Sequence, residues 1–330
     1  MKQRNLLRAF AHGLAATLAV APALSQAALY ISIVQGLGGQ ALYDEEFSAS
    51  RKKIETASAT ITDADKIFSF SGEKATRAAL LKHFTDLGKK MTANDRAAIY
   101  LVGHGSFDGD TYKFNIPGPD LTAQDIKGIL EHLPGRNHFL VNTSSTSGAM
   151  LETLVGKGDK ASAAAYVVIS ATRNGNERNA TQFGRYFAEA LHNKDADFNK
   201  NNSISIQEAF DYAEKQVSAH FQDEGKLATE HAQLRGDGAA QFNLARLNAA
   251  EQQAELASAS GKLADLLKKR KELEAQIEDL QVRRGEFSNA DYLKRFQALI
   301  LQSAEVGEQI DAAQKAEPST GKAPGGPRAP

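Results

Sequence analysis

Four short runs rich in β-branched and aromatic residues constrain this chain more than any other feature. They are "ALYISIV" (28–34), "RAAIYLVGHG" (96–105), "HFLVNT" (138–143) and "AAAYVVISATRNG" (163–175). Each runs into small or polar residues that read as a turn. Between and after them lie segments with helical spacing. "KATRAALLKHFTDLGKKM" (74–91) places Ala78, Leu81, Phe84 and Leu87 on one face. "TAQDIKGILEHL" (122–133) opens on a Thr cap, and "ATQFGRYFAEALHN" (180–193) is amphipathic. Strands alternating with helices predict an α/β fold: a mostly parallel sheet with helices on both faces. In such sheets ligands sit beyond the carboxyl ends of the strands. The loops "GHGSFDGD", "NTSSTSG" and "ATRNGNER" are therefore the candidate site.

The ends of the chain read differently. Lys2, Arg4 and Arg8 form a positive front, "AFAHGLAATLAVAPA" an apolar middle, and Ser25–Ala27 a small-residue cleavage site. This is the pattern of a signal peptide over 1–27, and it predicts a periplasmic or secreted protein. Its apolar run is shorter than the roughly 20 residues a membrane span needs, and no later segment is long and apolar enough. Removing the three cations takes the formal charge from −1 to −4, so nothing basic points to nucleic acid. The absence of cysteine excludes a thiol nucleophile, disulfides and zinc thiolates.

Beyond about residue 240 the pattern becomes a seam. Leu256, Ala259, Leu263, Leu266, Leu273, Ile277 and Leu280 recur at alternating three-four spacing, with Arg270 as an interruption. "GEFSN" (285–289) breaks it. A second stripe of Tyr292, Phe296, Leu299, Val306 and Ile310 follows, with Ser288 as cap and Asp291 three residues on. The expectation is a helical hairpin or coiled coil over 240–314, available to a protein partner or to self-association. A Pro/Gly-rich tail, "EPSTGKAPGGPRAP", closes the chain.

One loop has the spacing of a calcium site. In "DFNKNNSISIQE" Asp197, Asn199, Asn201, Ser203 and Glu208 stand at positions one, three, five, seven and twelve of an EF-hand-like loop, with Asn202 where a left-handed turn is needed. Oxygen donors at this spacing suit a hard cation. No organic cofactor is expected.

At the strand ends the sequence resembles a known family. "IYLVGHGSFDG", then a helix, then "FLVNTSSTSGAM", then "VVISATRNGNERNA", over roughly residues 29 to 235, is similar to the legumain-type cysteine peptidases of the caspase-like clan. The resemblance implies a caspase-like fold in a body spanning 28–239. It puts the family's catalytic His, in a His-Gly turn, at His104 and Gly105. The family's nucleophile segment, Ala-Cys-Glu-Ser-Gly, falls on "SSTSG". Ser147 and Gly148 match its end, Thr146 stands for Glu, Ser145 for the catalytic Cys and Ser144 for Ala. Ser144, Thr172, Arg173 and Glu177 fall where a substrate would lie. Gly38 stands where the family has an Asn that orients its His, and Asp44 falls near a pocket Arg. A serine hydroxyl is far less acidic than a thiol and needs a placed base and an orienter. Three readings follow. The chain is an inactive peptide- or protein-binding pseudopeptidase, a serine-dependent hydrolase using His104 and Ser145, or a calcium-stapled envelope scaffold.

Overall fold

The computed structural model describes residues 27–135, 137–156 and 166–316. Of the expected leader only Ala27 falls among them, and the tail at 317–330 lies outside. The body begins with β1 (Leu29–Gln35), α1 (Ala41–Ser58), β2 (Ile67–Phe70), α2 (Arg77–Lys90) and β3 (Arg96–Val102). A small antiparallel sheet follows, β4 (Gly105–Phe107), β5 (Tyr112–Phe114) and β6 (Leu121–Thr122). Then come α3 (Ala123–His132), β7 (His138–Asn142), α4 (Leu151–Val155), β8 (Tyr166–Ser170) and α5 (Phe183–Ala190). β9 (Ser203–Ser205), α6 (Ile206–Asp223), β10 (Gln233–Arg235) and β11 (Asn243–Arg246) complete the body. The arm is α7 (Ala249–Ser258), α8 (Gly261–Val282) and α9 (Asn289–Ala316).

The main sheet has the order β10-β8-β7-β3-β1-β2. All its neighbours are parallel except the edge pair β10–β8. β2 extends the sheet to one side of β1 and β3 to the other, so the strand order reverses between β1 and β3. A reversal of this kind is where a ligand crevice is expected, at the carboxyl ends of the strands. The side chains alternate across the pleat. Ile31, Ile33, Tyr100, Phe139, Val141 and Ile169 pack under α1, α5 and α6. Tyr30, Val34, Ile99, Leu101, Leu140 and Val168 pack under α2, α3 and α4. Two-sided burial explains why these strands read as unbroken apolar runs. The predicted mostly parallel sheet covered on both faces, with a helical arm, is what forms.

Several local readings shift. α2 buries Leu80, Phe84 and Leu87, so its inner face contains Leu80 while Ala78 is exposed. The run at 163–175 is a strand only over β8; its first residues lie outside the described ones and 171–175 form the following turn. α1 has no counterpart in the hydrophobic pattern, because it buries Ser50, Ile54, Ala57 and Ser58, a face of mostly small or polar residues. The seam at 256–280 is broken at Ala259 and Ser260 into α7 and α8. Leu256, Ala259, Leu263, Leu266 and Leu273 still share one cluster with Val306 and Ile310. Gln314 on α9 donates to Glu255 on α7 at 2.9 Å, so the chain runs back along itself. Ser288 caps α9, accepting from the Asp291 N–H at 3.1 Å. Phe242, Leu244 and Ala245 belong to the body's core, which moves the body–arm boundary from 239 to about Leu247. Among the described residues no helix is long and apolar enough to cross a membrane.

α3 shows how the body is fastened. Thr122 accepts from the Asp125 N–H at 3.1 Å while Asp125 accepts from the Thr122 N–H at 3.0 Å, a reciprocal cap. The same carboxylate takes both arms of Arg77 on α2, at 2.8 and 2.6 Å. Asp125→Ala is expected to lower the urea unfolding free energy by about 1–2 kcal/mol. Arg77→Ala should cost less, because that guanidinium is 41% exposed.

Candidate functional site

The crevice is bounded by the loop after β1, the His104 turn after β3, the 143–148 turn after β7 and the 171–182 loop after β8. His104 is half-buried against the edges of Tyr43 and Phe47 on α1, at ring-centroid distances of 4.7 and 4.9 Å. Burial pushes its imidazole below the ordinary value. The Gly38 carbonyl, which accepts from the ring, and the carboxylates of Asp44 and Glu46 oppose that shift. The neutral ring is therefore favoured at pH 7. Gly38 itself is pinned, since its N–H donates to Asp44 Oδ1 at 2.9 Å. A Cβ at Gly38 would lie 2.5 Å from that oxygen. A backbone carbonyl thus occupies the role the resemblance gives to an Asn side chain, and Asp44 holds the loop that presents it.

The 143–148 turn is locked from beneath. Asn142, fully buried, donates to Tyr112 Oη at 2.7 Å and accepts from the Ser144 N–H and hydroxyl at 3.1 and 2.8 Å. Tyr112 also bonds the Ser144 hydroxyl at 2.7 Å, and burial raises its phenol far above the ordinary value. Gly105 lies directly over this turn: a Cβ there would meet Ser145 O at 2.5 Å and Ser144 Oγ at 2.6 Å. Only glycine fits. Thr146 sits at φ +57°, with its hydroxyl buried and unpartnered. A β-branched residue in that region carries strain of roughly 1–3 kcal/mol.

The structure gathers His104, Gly105 and Ser145 at one place. The Ser145 hydroxyl, however, donates to the Gly105 carbonyl at 3.2 Å, and among the described residues no hydrogen bond joins it to His104. The N–H groups of Ser144, Thr146 and Gly148 are engaged by Asn142 Oδ1, the Glu177 carbonyl and Thr172 Oγ1.

The candidate substrate contacts divide. Ser144 and Thr172 are wholly buried, so they frame the turn from behind instead of lining the crevice, because their hydroxyls complete its hydrogen bonds. Arg173 is exposed at the rim. Glu177 is a clasp, not an open pocket wall. Its carboxylate accepts from the Arg173 N–H at 2.7 Å, the His231 N–H at 3.1 Å and the His231 ring at 2.6 Å, and its carbonyl accepts from Thr146 N–H. Glu230, which sequence reasoning missed, is buried and accepts from the Gln182 and Phe183 N–H groups at 2.7 and 3.1 Å. Tyr43 and Phe47 were also missed. Their four-residue spacing after "GLGG" was the available signal, since it sets both rings on one helical face.

The 197–208 loop is closed by its own hydrogen bonds. Asp197 accepts from the Asn201 and Asn202 N–H groups at 3.0 and 2.9 Å, and Asn201 Oδ1 from the Ser203 N–H at 2.8 Å. Asn202 takes φ +60°. Glu208 Oε1 reaches across the loop to the Asn199 N–H at 3.3 Å. The entering helix α5 stops at Ala190, earlier than the EF-hand pattern suggests, and a short turn at Lys194–Ala196 leads into the loop. Among the described residues there is no cluster of three or more His, Cys, Asp or Glu arranged as metal ligands; this loop offers two carboxylates and otherwise amide and hydroxyl oxygens.

A sequence model of the peptidase C13 family matches residues 71–237, half of the chain, and spans the His104 turn, Ser145 and the clasp. The chain belongs to the peptidase C13 family. No curated protein matches it. Among solved structures it is similar to a structural-genomics protein from Geobacter sulfurreducens (10% identity, TM-score 0.44, 67% of this chain and 99% of that one). It is also similar to Caspase-1 from Spodoptera frugiperda (10% identity, TM-score 0.42, 67% and 91%).

Burial, with Glu177 nearby, raises the Glu230 carboxyl from 4.5 to about 7; the two N–H donors and His231 oppose that rise. A raised folded-state value means that the contribution is fully present below pH 4.5 and is lost as pH rises through about 7. Glu230→Gln should therefore lose less stability than the parent over that interval, as followed by urea midpoints across pH.

Proposed function

We propose that this chain is a peptide- or protein-binding pseudopeptidase. The observation that carries the reading is the Ser145 hydroxyl, which is turned to the Gly105 carbonyl and makes no hydrogen bond to His104. A serine lacking its base has no route to the alkoxide that attack on a carbonyl demands. The rest of the crevice supports ligand binding. It keeps a packed His-Gly turn, an exposed Arg173 and a loop system fastened by Glu177. The amino-terminal pattern supports export, so the ligand would be a peptide or protein of the cell envelope, with the helical arm free to engage a partner.

The test is cleavage and binding of a diverse peptide library by the mature chain, whose first residue is expected near Ala28. Binding without cleavage is expected. Ser145→Cys is expected to gain cleavage, because a thiol ionises without a closely placed base. Cleavage by the unaltered chain, lost in both Ser145→Ala and His104→Ala, would instead establish a serine-dependent hydrolase.

We also propose calcium at the 197–208 loop. Asp197 and Glu208 are nearly buried, and both carboxylates accept from N–H groups of the loop, Asp197 from Asn201 and Asn202 and Glu208 from Asn199. The ion would staple the loop to α6. Calcium at a hundredfold excess over its Kd is expected to add about 2.7 kcal/mol to stability. A thermal melt with calcium and with chelator checks this, and Asp197→Ala should abolish the difference.

A further inference from the structure

The arm and the body have separate cores. Leu263, Leu266, Leu267, Leu273, Val306 and Ile310 form the arm's cluster, and none of them belongs to either cluster of the body. Charged side chains bridge the two units. Arg246, at the end of β11, reaches Glu274 on α8 at 3.0 Å and Glu278 one turn further on at 3.1 Å. Lys271, on the same helix, lies within electrostatic reach of Asp63 in the body. Beside the Arg246 contact a cleft of about 750 Å³ separates α7 and α8 from the loop before β9. Asn201, Ser203, Asn243, Glu251, Arg270 and Gln281 are among its lining residues.

The strand end that carries Arg246 is rigid. Its N–H donates to Thr60 Oγ1 at 2.8 Å, and Arg246 pairs with Ser203 across the β9–β11 ribbon. The guanidinium is therefore a fixed post. Its partners stand on a helix that is also tied within the arm, Arg270 reaching Glu255 on α7 at 2.6 Å. Partly exposed ion pairs of this kind are weak singly and are screened by salt, whereas an apolar interface is not. A cleft next to the joint leaves space into which the arm can turn.

We propose that Arg246 with Glu274 and Glu278 forms an electrostatic latch, and that the α7–α9 arm swings on the Leu247–Asn248 link when the latch is opened. The latch makes the arm's position sensitive to ionic strength and to any partner that competes for these carboxylates or for the guanidinium.

The chain has no cysteine, so two labels can be placed cleanly. Lys215→Cys on α6 and Gln297→Cys on α9 are both exposed, and a spin-label pair on them reads the arm-to-body distance. At low salt one narrow distribution is expected. In high salt, in Arg246→Ala and in Glu274→Gln with Glu278→Gln, the distribution should shift and broaden. Exchanging the charges, with Arg246→Glu, Glu274→Arg and Glu278→Arg together, should restore the narrow one. The glutamine pair leaves the body's residues untouched and keeps the test valid if Arg246→Ala unfolds; circular dichroism confirms folding in each case. An unchanged distribution in folded latch variants and in high salt overturns the proposal. So does a shift that the charge exchange leaves uncorrected.

Discussion

Backbone meets backbone at the carboxyl end of the sheet, and the rest of the crevice follows from that approach. Gly105 lies so near the turn after β7 that any side chain there would enter Ser144 and Ser145. Gly148 lies as close to the backbone of Thr172 and Arg173, with distances of 2.3–2.5 Å to an added Cβ. Three loops are thereby held at contact distance by the sheet beneath them. The polar residues between them have one set of partners each. Asn142 serves Tyr112 and Ser144, Thr172 serves Gly148, and Glu177 serves Thr146. Loops fastened in this way have their shape before any ligand arrives, and such preorganisation lowers the cost of binding.

Much of this was legible in the sequence. The strand runs, the caps at Thr122 and Ser288, the His-Gly turn and the order of the polar loops all come from local pattern, and local pattern is what periodicity and capping rules read. Three things were not legible. α1 was invisible because its buried face is made of serine and alanine as much as of large apolar residues. The framework roles of Ser144 and Thr172 depend on residues up to 32 positions away, which no local pattern encodes. Glu230 looked like a surface carboxylate in a polar segment, yet its backbone partners lie almost 50 residues earlier.

The arm illustrates the opposite case. Its heptad pattern declared the helices but said nothing about how they attach. Part of that attachment is Arg246, at the end of the β9–β11 ribbon, whose partner strand is the far side of the 197–208 loop. Whatever orders that loop also orders the strand that bears Arg246. The 197–208 loop and Arg246 therefore belong to one mechanical unit, although the sequence separates them by some 40 residues.

The Glu177 clasp bears on how mutagenesis of this crevice is to be interpreted. Its carboxylate and carbonyl together hold the Arg173 loop, the approach to β10 and the Thr146 turn. An alanine scan that finds binding lost at Glu177 would look like the discovery of a recognition hot spot. The residue is a keystone: truncating its carboxylate releases the Arg173 loop and the approach to β10 together, while the backbone carbonyl still holds Thr146. Only a probe of loop order, such as amide exchange at Arg173, Thr146 and His231, separates a lost contact from a collapsed site.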